Sequence, residues 1–234
     1  MTMDFKLHKA AGGTKHLSFA VRKIVNAGYT GRDQAAVQAH IDELKEEGIP
    51  APEKTPTYFP KFADRLTQDE ALEVLDESDH SGEAEFALLF VGDKVYVGTG
   101  SDHTDRKLEA VDIPKAKQVY ANTISRDLWD LDEVRGHWDE IVLRSWVKQG
   151  ERKVLFQEAT LDAMLAPDDL IGRVKELLVD PTDMEGLVIY SGTVAALLKP
   201  DYSSYFEVEL DDPKLGRKIG QRYELKPVTR WFKG

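Results

Sequence analysis

The stretch from Ser81 to Arg106, SGEAEFALLFVGDKVYVGTGSDHTDR, holds the densest set of residues able to do chemistry. Glu83 and Glu85 stand two apart in a strand-like run, so their carboxylates leave the same face. Gly92-Asp93 reads as a two-residue hairpin loop, and pairing Val91 with Lys94 makes the numbers of every facing pair sum to 185. Asp102 then lies opposite Glu83. Facing side chains stand ~4.5–5.5 Å apart at Cβ, so Glu83, Glu85 and Asp102 can meet around one point. Three such anions repel, and an all-oxygen set suits a hard divalent cation: Mg²⁺ or Mn²⁺, with Ca²⁺ also admissible. A loop one residue longer would turn Asp102 to the other face. Acids alternating with apolar residues also describe the solvated face of a sheet.

Composition narrows the classes. The 234 residues are 41 % hydrophobic and 31 % charged, with a formal charge of -11, a balance that speaks for one globular domain and against binding nucleic acid or anionic membrane through global charge. There is no cysteine, so thiolate nucleophiles, zinc ribbons and iron–sulfur clusters are excluded, and a reducing cytoplasm is the expected compartment. No signal-peptide pattern opens the chain and no run reaches the ~18–20 apolar residues of a membrane-spanning helix. Gly98-Thr99-Gly100 lacks the rest of a dinucleotide fingerprint, and GxxxxGK[ST], GxSxG and HExxH do not occur.

The elements that must position these residues form a strand-dominated α+β pattern. An amphipathic helix is expected from Asp33 to Glu47, with Asp33 as cap, Val37, Ile41 and Leu44 as its stripe and Gly48 at its end. A second is expected to start near Thr67, which has capping-box spacing to Glu70. Two short helices, Leu161 to Leu165 and Leu170 to Leu178, flank Pro167. Strands are expected at 83–91, 95–102, 140–148, 152–157, 186–191, 205–210 and 221–226. They follow one another without a helix at each crossing, which favours a β-rich roll or sandwich with peripheral helices over a parallel doubly wound sheet. We read one domain, residues 1–234, in which strands and helices of 1–70 pack on a catalytic β-core of 80–230.

The Glu-x-Glu of Glu83 and Glu85, followed by a Gly-rich strand to Asp102 and Arg106, resembles the metal-binding core of the fumarylacetoacetate hydrolase superfamily. GLVIYSGTVAAL, from Gly186 to Leu197, is similar to that superfamily's segment around a substrate-facing Gly-Thr, and the closing FEVELDDPKLGRKIGQRYEL resembles its final strands. AGYTGRD at 27–33, SGEAEF at 81–86, GSDHTDR at 100–106, HWD at 137–139 and Asp211-Asp212-Pro213 look like a branch of it described as a domain of unknown function. The likeness covers roughly residues 25–226.

That resemblance implies a mixed β-roll with peripheral helices, a homodimer, and a metal held by Glu83, Glu85 and Asp102. It implies Mg²⁺- or Mn²⁺-dependent cleavage of a C–C bond in a small anionic 2-oxo or β-diketo acid. It places the catalytic lysine at Lys117, with Lys115 as competitor, and the substrate-facing pair at Gly192 and Thr193. A cation nearby is expected to lower the pKa of Lys117. One departure stands out. The superfamily's Asn-Tyr-x-x-His-x-x-Glu motif falls on Gly28, Tyr29, Arg32 and Ala35, so Tyr29 is retained while the water-activating His-Glu dyad is absent. His103 and His137 are the substitute bases to consider, although alternation turns His103 away from Asp102. Arg32 and Arg106 can bind a substrate carboxylate or balance Asp33 and Asp105. Without the dyad, decarboxylation, hydration or tautomerisation becomes the alternative reaction, and a metal- or ligand-binding module without catalysis the alternative class.

Overall fold

The computed structural model describes residues 1–46, 51–198 and 202–231. Its spine is a ten-stranded mixed sheet in which the Ala84–Val91 and Lys94–Ser101 strands are central neighbours. Beyond Ala84–Val91 lie Leu187–Tyr190, Lys23–Gly28 and Thr57–Lys61; beyond Lys94–Ser101 lie Asp127–Asp130, Thr2–His8 and Thr14–Ala20. The short Asn122–Ile124 and Leu66–Thr67 strands attach to the Lys94–Ser101 side. A second sheet of five strands runs Arg152–Thr160, Val142–Gln149, Tyr205–Asp212, Arg217–Pro227 and Ala71–Val74. The α+β, β-rich architecture expected from the sequence is thus the one observed.

The Ala84–Val91 strand is buried on both faces. Phe86 and Leu88 point into the larger core between the two sheets, where Phe86 meets Trp138 edge-to-face at 4.9 Å. Ala87 and Leu89 point into a second core with Phe5, Phe19, Ile24, Ile124 and Tyr190. Burying one such aromatic side chain is worth about 1.5–3 kcal/mol, and register is pinned accordingly, because a one-residue slip would exchange the two faces. The hairpin register is the one read from the sequence: Val91 faces Lys94, Ala84 faces Ser101, and Gly92 takes φ 57° in a two-residue loop.

Asp33 caps the Gln34–Glu46 helix by accepting from the amides of Ala35 and Ala36, while Gly48 lies outside the described residues. The helix expected near Thr67 is instead two strands, Leu66–Thr67 and Ala71–Val74. The Thr67 hydroxyl bonds to Asp69, and Ala71–Val74 alternates exposed and buried residues as it pairs in parallel with Arg217–Pro227. Pro167 begins the Pro167–Leu177 helix rather than dividing two helices, because a missing N–H costs nothing in the first turn; only a 3₁₀ turn, Leu161–Ala163, precedes it. The N-terminal strands pair directly with the central sheet: Lys23–Gly28 runs parallel to Leu187–Tyr190, and Thr2–His8 parallel to Asp127–Asp130. Among the described residues no helix is long and apolar enough to cross a membrane.

Candidate active site

Where the central hairpin ends, Glu83 and Asp102 leave their strands as the next facing pair, and the Asp102 amide donates to the Glu83 carbonyl at 3.1 Å. Glu85 lies inside the strand and is 1 % exposed. One carboxylate oxygen from each of Glu83, Glu85 and Asp102 lies within 4.8 Å of the others. The set is all oxygen and converges on one point, which fits a hard divalent ion.

Two helices then bring cations to this point. The backbone turns after Asp102 into a two-residue strand, Thr104–Asp105, and the Asp105 side chain caps the Arg106–Glu109 helix. Arg106 donates from Nε to Ser81 Oγ at 2.7 Å and from Nη1 to Glu83 at 3.0 Å and Glu109 at 2.7 Å. The following Ile113–Val119 helix, capped by Asp112, settles the choice of lysine that faces the cluster. Residues two apart in a helix point to opposite sides. Lys115 is 77 % exposed and pairs with Asp112, whereas Lys117 is buried and lies 2.8 Å from Glu83 Oε2, 2.9 Å from Asp102 Oδ2 and 3.4 Å from Glu109 Oε1.

Three members of this cluster escaped the sequence reading. Lys61, at the end of the Thr57–Lys61 strand, lies 3.3 Å from Asp102 Oδ1 and donates to Asn122 Oδ1 at 2.5 Å. Asn122 in turn donates to Asn26 at 2.9 Å. Glu109 accepts from Arg106 and approaches Lys117. The proline-flanked YFPK run before Lys61 offered no local chemical pattern, and LEA around Glu109 reads as ordinary helix surface.

Electrostatics follows from this crowding. Burial works against ionisation of Glu83, yet Lys117 and Arg106 overcome it and hold its carboxyl down at about 2. Glu85 is pushed well above the usual carboxylate range by burial and by the charges of Asp102 and Glu83. Burial lowers Lys61. Lys117 moves upward, because Asp102, Glu83 and Glu109 outweigh its burial. Counted as fully ionised, four carboxylates against three basic groups carry one negative charge in excess, and a divalent ion would reverse that sign.

Gly192 and Thr193 serve the cluster through its walls. The Gly192 amide donates to Glu85 Oε2 at 2.8 Å from a φ of 82°, and a Cβ there would come within 2.6 Å of Thr30 Oγ1. Thr193 donates its hydroxyl to the Ala84 carbonyl and accepts from Gln157. Tyr29 takes a left-handed φ of 56° and its phenol is raised by burial and by nearby Glu109.

The other candidates are not brought to the cluster. His103 is completely buried with one ring nitrogen 3.0 Å from Tyr223 Oη and the other 2.9 Å from His80, so both face away from the trio. His137 bonds to the fully buried Asp212 at 2.9 Å. Arg32 is held by Asp139 through both Nη atoms and by the Met164 carbonyl through Nε. Each of these side chains is satisfied by structural partners elsewhere, which leaves the cluster without an imidazole among the described residues.

A cleft of about 540 Å³ is walled by Pro56, Tyr58, Val111, Ile113 and Leu177 and meets the cluster at Glu109, which also lines it.

Solved structures share this fold at low identity. The structure of Cg1458 superposes with a TM-score of 0.64 at 15 % identity, covering 90 % of this chain and 78 % of that one. 2-Keto-3-deoxyarabinonate dehydratase gives 0.64 at 15 %, covering 88 % and 74 %; another structure of that enzyme holds magnesium and 2,5-dioxopentanoate. 4-Oxalocrotonate decarboxylase from Pseudomonas putida G7, in complex with calcium and acetate, gives 0.54 at 14 %, covering 86 % and 76 %. No curated protein sequence matches the chain. Residues 27–223 match the family model described as protein of unknown function (DUF2848), and the chain belongs to that family.

Proposed function

We propose that this protein is a divalent-metal-dependent enzyme of small anionic 2-oxo acids, with Glu83, Glu85 and Asp102 as metal ligands and Mg²⁺ or Mn²⁺ as the ion. The observation that carries this reading is the convergence of three carboxylates within 4.8 Å beside Lys117 and Arg106. Similarly folded enzymes add support, since their names record a dehydratase and a decarboxylase of oxo acids and their complexes hold magnesium and calcium.

The ion, when bound, supplies positive charge to the oxygens of the 2-oxo acid and so favours the enolate form. Arg106, whose side chain remains 32 % exposed, receives the substrate carboxylate. Lys117, whose three N–H bonds hold Glu83, Thr104 and Asp102, contributes its positive charge to the field at the developing oxyanion. Tyr29 and the Gly192-Thr193 segment complete the wall, and the apolar cleft beyond Glu109 takes the part of the substrate remote from the oxo acid.

The reaction class supported best is enolate chemistry without an activated water: decarboxylation, dehydration or tautomerisation. His103 and His137 are engaged elsewhere, so among the described residues no imidazole stands ready to activate a nucleophilic water for C–C hydrolysis of an acylpyruvate-like acid. Hydrolysis is the second reading. The resemblance also implies a homodimer, to be checked by light scattering of the purified protein.

The test is a Mg²⁺ and Mn²⁺ titration followed by melting temperature, with oxaloacetate decarboxylation and acylpyruvate hydrolysis assayed alongside. A metal-dependent rise that disappears in Glu85→Gln, together with metal-dependent turnover of either acid, is the expected result. A melting curve indifferent to metal would refute the reading; binding without turnover would favour the non-catalytic module.

A further inference from the structure

Glu109 is the one residue, among those described, that belongs both to the ion-pair cluster and to the wall of the apolar cleft. Its side chain is 14 % exposed. Oε2 accepts from Arg106 at 2.7 Å and Oε1 lies 3.4 Å from Lys117 Nζ, so a single ammonium separates it from Glu83 and Asp102. Each carboxylate oxygen has two lone pairs; Oε2 gives one to Arg106 and Oε1 stands at ion-pair distance from Lys117, which leaves acceptor capacity.

Tautomerisation and dehydration through an enolate need a group that can take a proton from carbon, and the neighbours do not qualify. Lys117 has three N–H bonds and three close acceptors, Glu83, Thr104 and Asp102. Arg106 has no acceptor atom. The trio is committed to the metal in the proposed function, and both nitrogens of His103 are directed at Tyr223 and His80.

We propose that Glu109 is the proton-transfer carboxylate of this site, acting on C3 of a 2-oxo acid that extends into the cleft. The inference rests on the function proposed above. The Glu109 carboxylate takes the C3 proton, the C–H electron pair becomes the C2–C3 double bond, and the carbonyl π pair moves to the oxygen on C2. Return of a proton from the Glu109 carboxylic acid to C3, with the electrons moving back, restores the 2-oxo acid. In deuterated solvent the proton on Glu109 exchanges, so the cycle leaves deuterium at C3. Arg106 and Lys117 act as positioning residues that fix the plane of the carboxylate.

The probe is 2-oxopentanoate with Mg²⁺ in D₂O, followed by loss of the C3 proton signal in NMR. Wild type is expected to catalyse the exchange. Glu109→Gln keeps the size and the acceptor for Arg106; it is expected to slow exchange by about 10²-fold or more while retaining the Mg²⁺-dependent rise in melting temperature. Exchange at the wild-type rate in Glu109→Gln overturns this inference alone. Loss of the metal response in that variant also overturns it, because Glu109 would then be a structural ion-pair partner. Absence of exchange in the wild type overturns the proposed function and this inference with it. If Glu109→Gln does not fold, Glu109→Asp decides: withdrawing the carboxylate by one methylene is expected to slow exchange, and an unchanged rate refutes the assignment.

Discussion

The Lys61 ammonium lies 3.3 Å from Asp102 Oδ1 across 41 residues of sequence, with side-chain exposures of 0 % and 1 %. Two charges removed from water this completely depend on each other. Removing one partner of a buried pair costs up to roughly 3–5 kcal/mol, and less where the other keeps a second partner, as Asp102 does in Lys117 at 2.9 Å. Lys61→Met is therefore expected to lower unfolding free energy by up to that order in urea melts performed with chelator. The double variant Lys61→Met with Asp102→Asn should recover part of the loss, since the carboxylate charge left in excess by the first substitution is gone. Additive losses would show that the two residues do not act as a pair.

Gly192→Ala tests how the amide on Glu85 is delivered. Alanine at φ 82° is strained by about 1–3 kcal/mol, and its Cβ meets Thr30 Oγ1, which is itself fixed by a 2.6 Å bond to the Ser191 carbonyl. The variant should melt lower and respond less to Mg²⁺, because the N–H on Glu85 Oε2 moves with the backbone. Unchanged melting and metal response would mean that the loop absorbs the methyl group.

His80 and His103 make stability depend on pH. Burial lowers the pKa of His80, and burial together with the neighbouring His80 lowers that of His103 well below its ordinary value. The unfolded chain binds protons at both positions as pH falls below ~6.5, while the folded chain resists them. Stability is therefore complete above that pH and declines on acidification, by up to about 1.4 kcal/mol per pH unit for each group until its folded pKa is reached. Urea midpoints between pH 8 and pH 5 should show this slope, and His103→Gln should flatten it. Equal slopes in wild type and variant would assign the acid sensitivity to other groups.

The cleft beyond Glu109 sets an expectation for chain length. Each methylene buried against Tyr58, Val111 and Ile113 is worth about 0.8 kcal/mol, so kcat/KM should rise roughly threefold to fourfold per carbon from pyruvate to 2-oxohexanoate. Ile113→Asp should flatten that series while changing pyruvate little. A flat series in the wild type would remove the cleft from substrate recognition.

Local pattern determined a large share of this protein. Alternation and a two-residue Gly92-Asp93 loop were enough to set the central hairpin in register and bring Glu83 opposite Asp102, because pleat and turn geometry act over a few residues. Asp33 as a cap follows from the same short-range rules, whereas the opposite orientations of Lys115 and Lys117 rest on the Ile113–Val119 helix, which the sequence reading did not expect. The helix expected at Thr67 failed where a parallel partner, Arg217–Pro227, recruited residues whose spacing suits a capping box. Only the tertiary structure decided that Lys61, Asn122 and Glu109 join the cluster, that Gly192 serves Glu85 from 107 residues away, and that His103, His137 and Arg32 are spent elsewhere. These relationships arise from strand pairing and burial between distant segments: a buried charge takes whichever opposite charge the fold carries to it, and no spacing in the sequence records which one that will be.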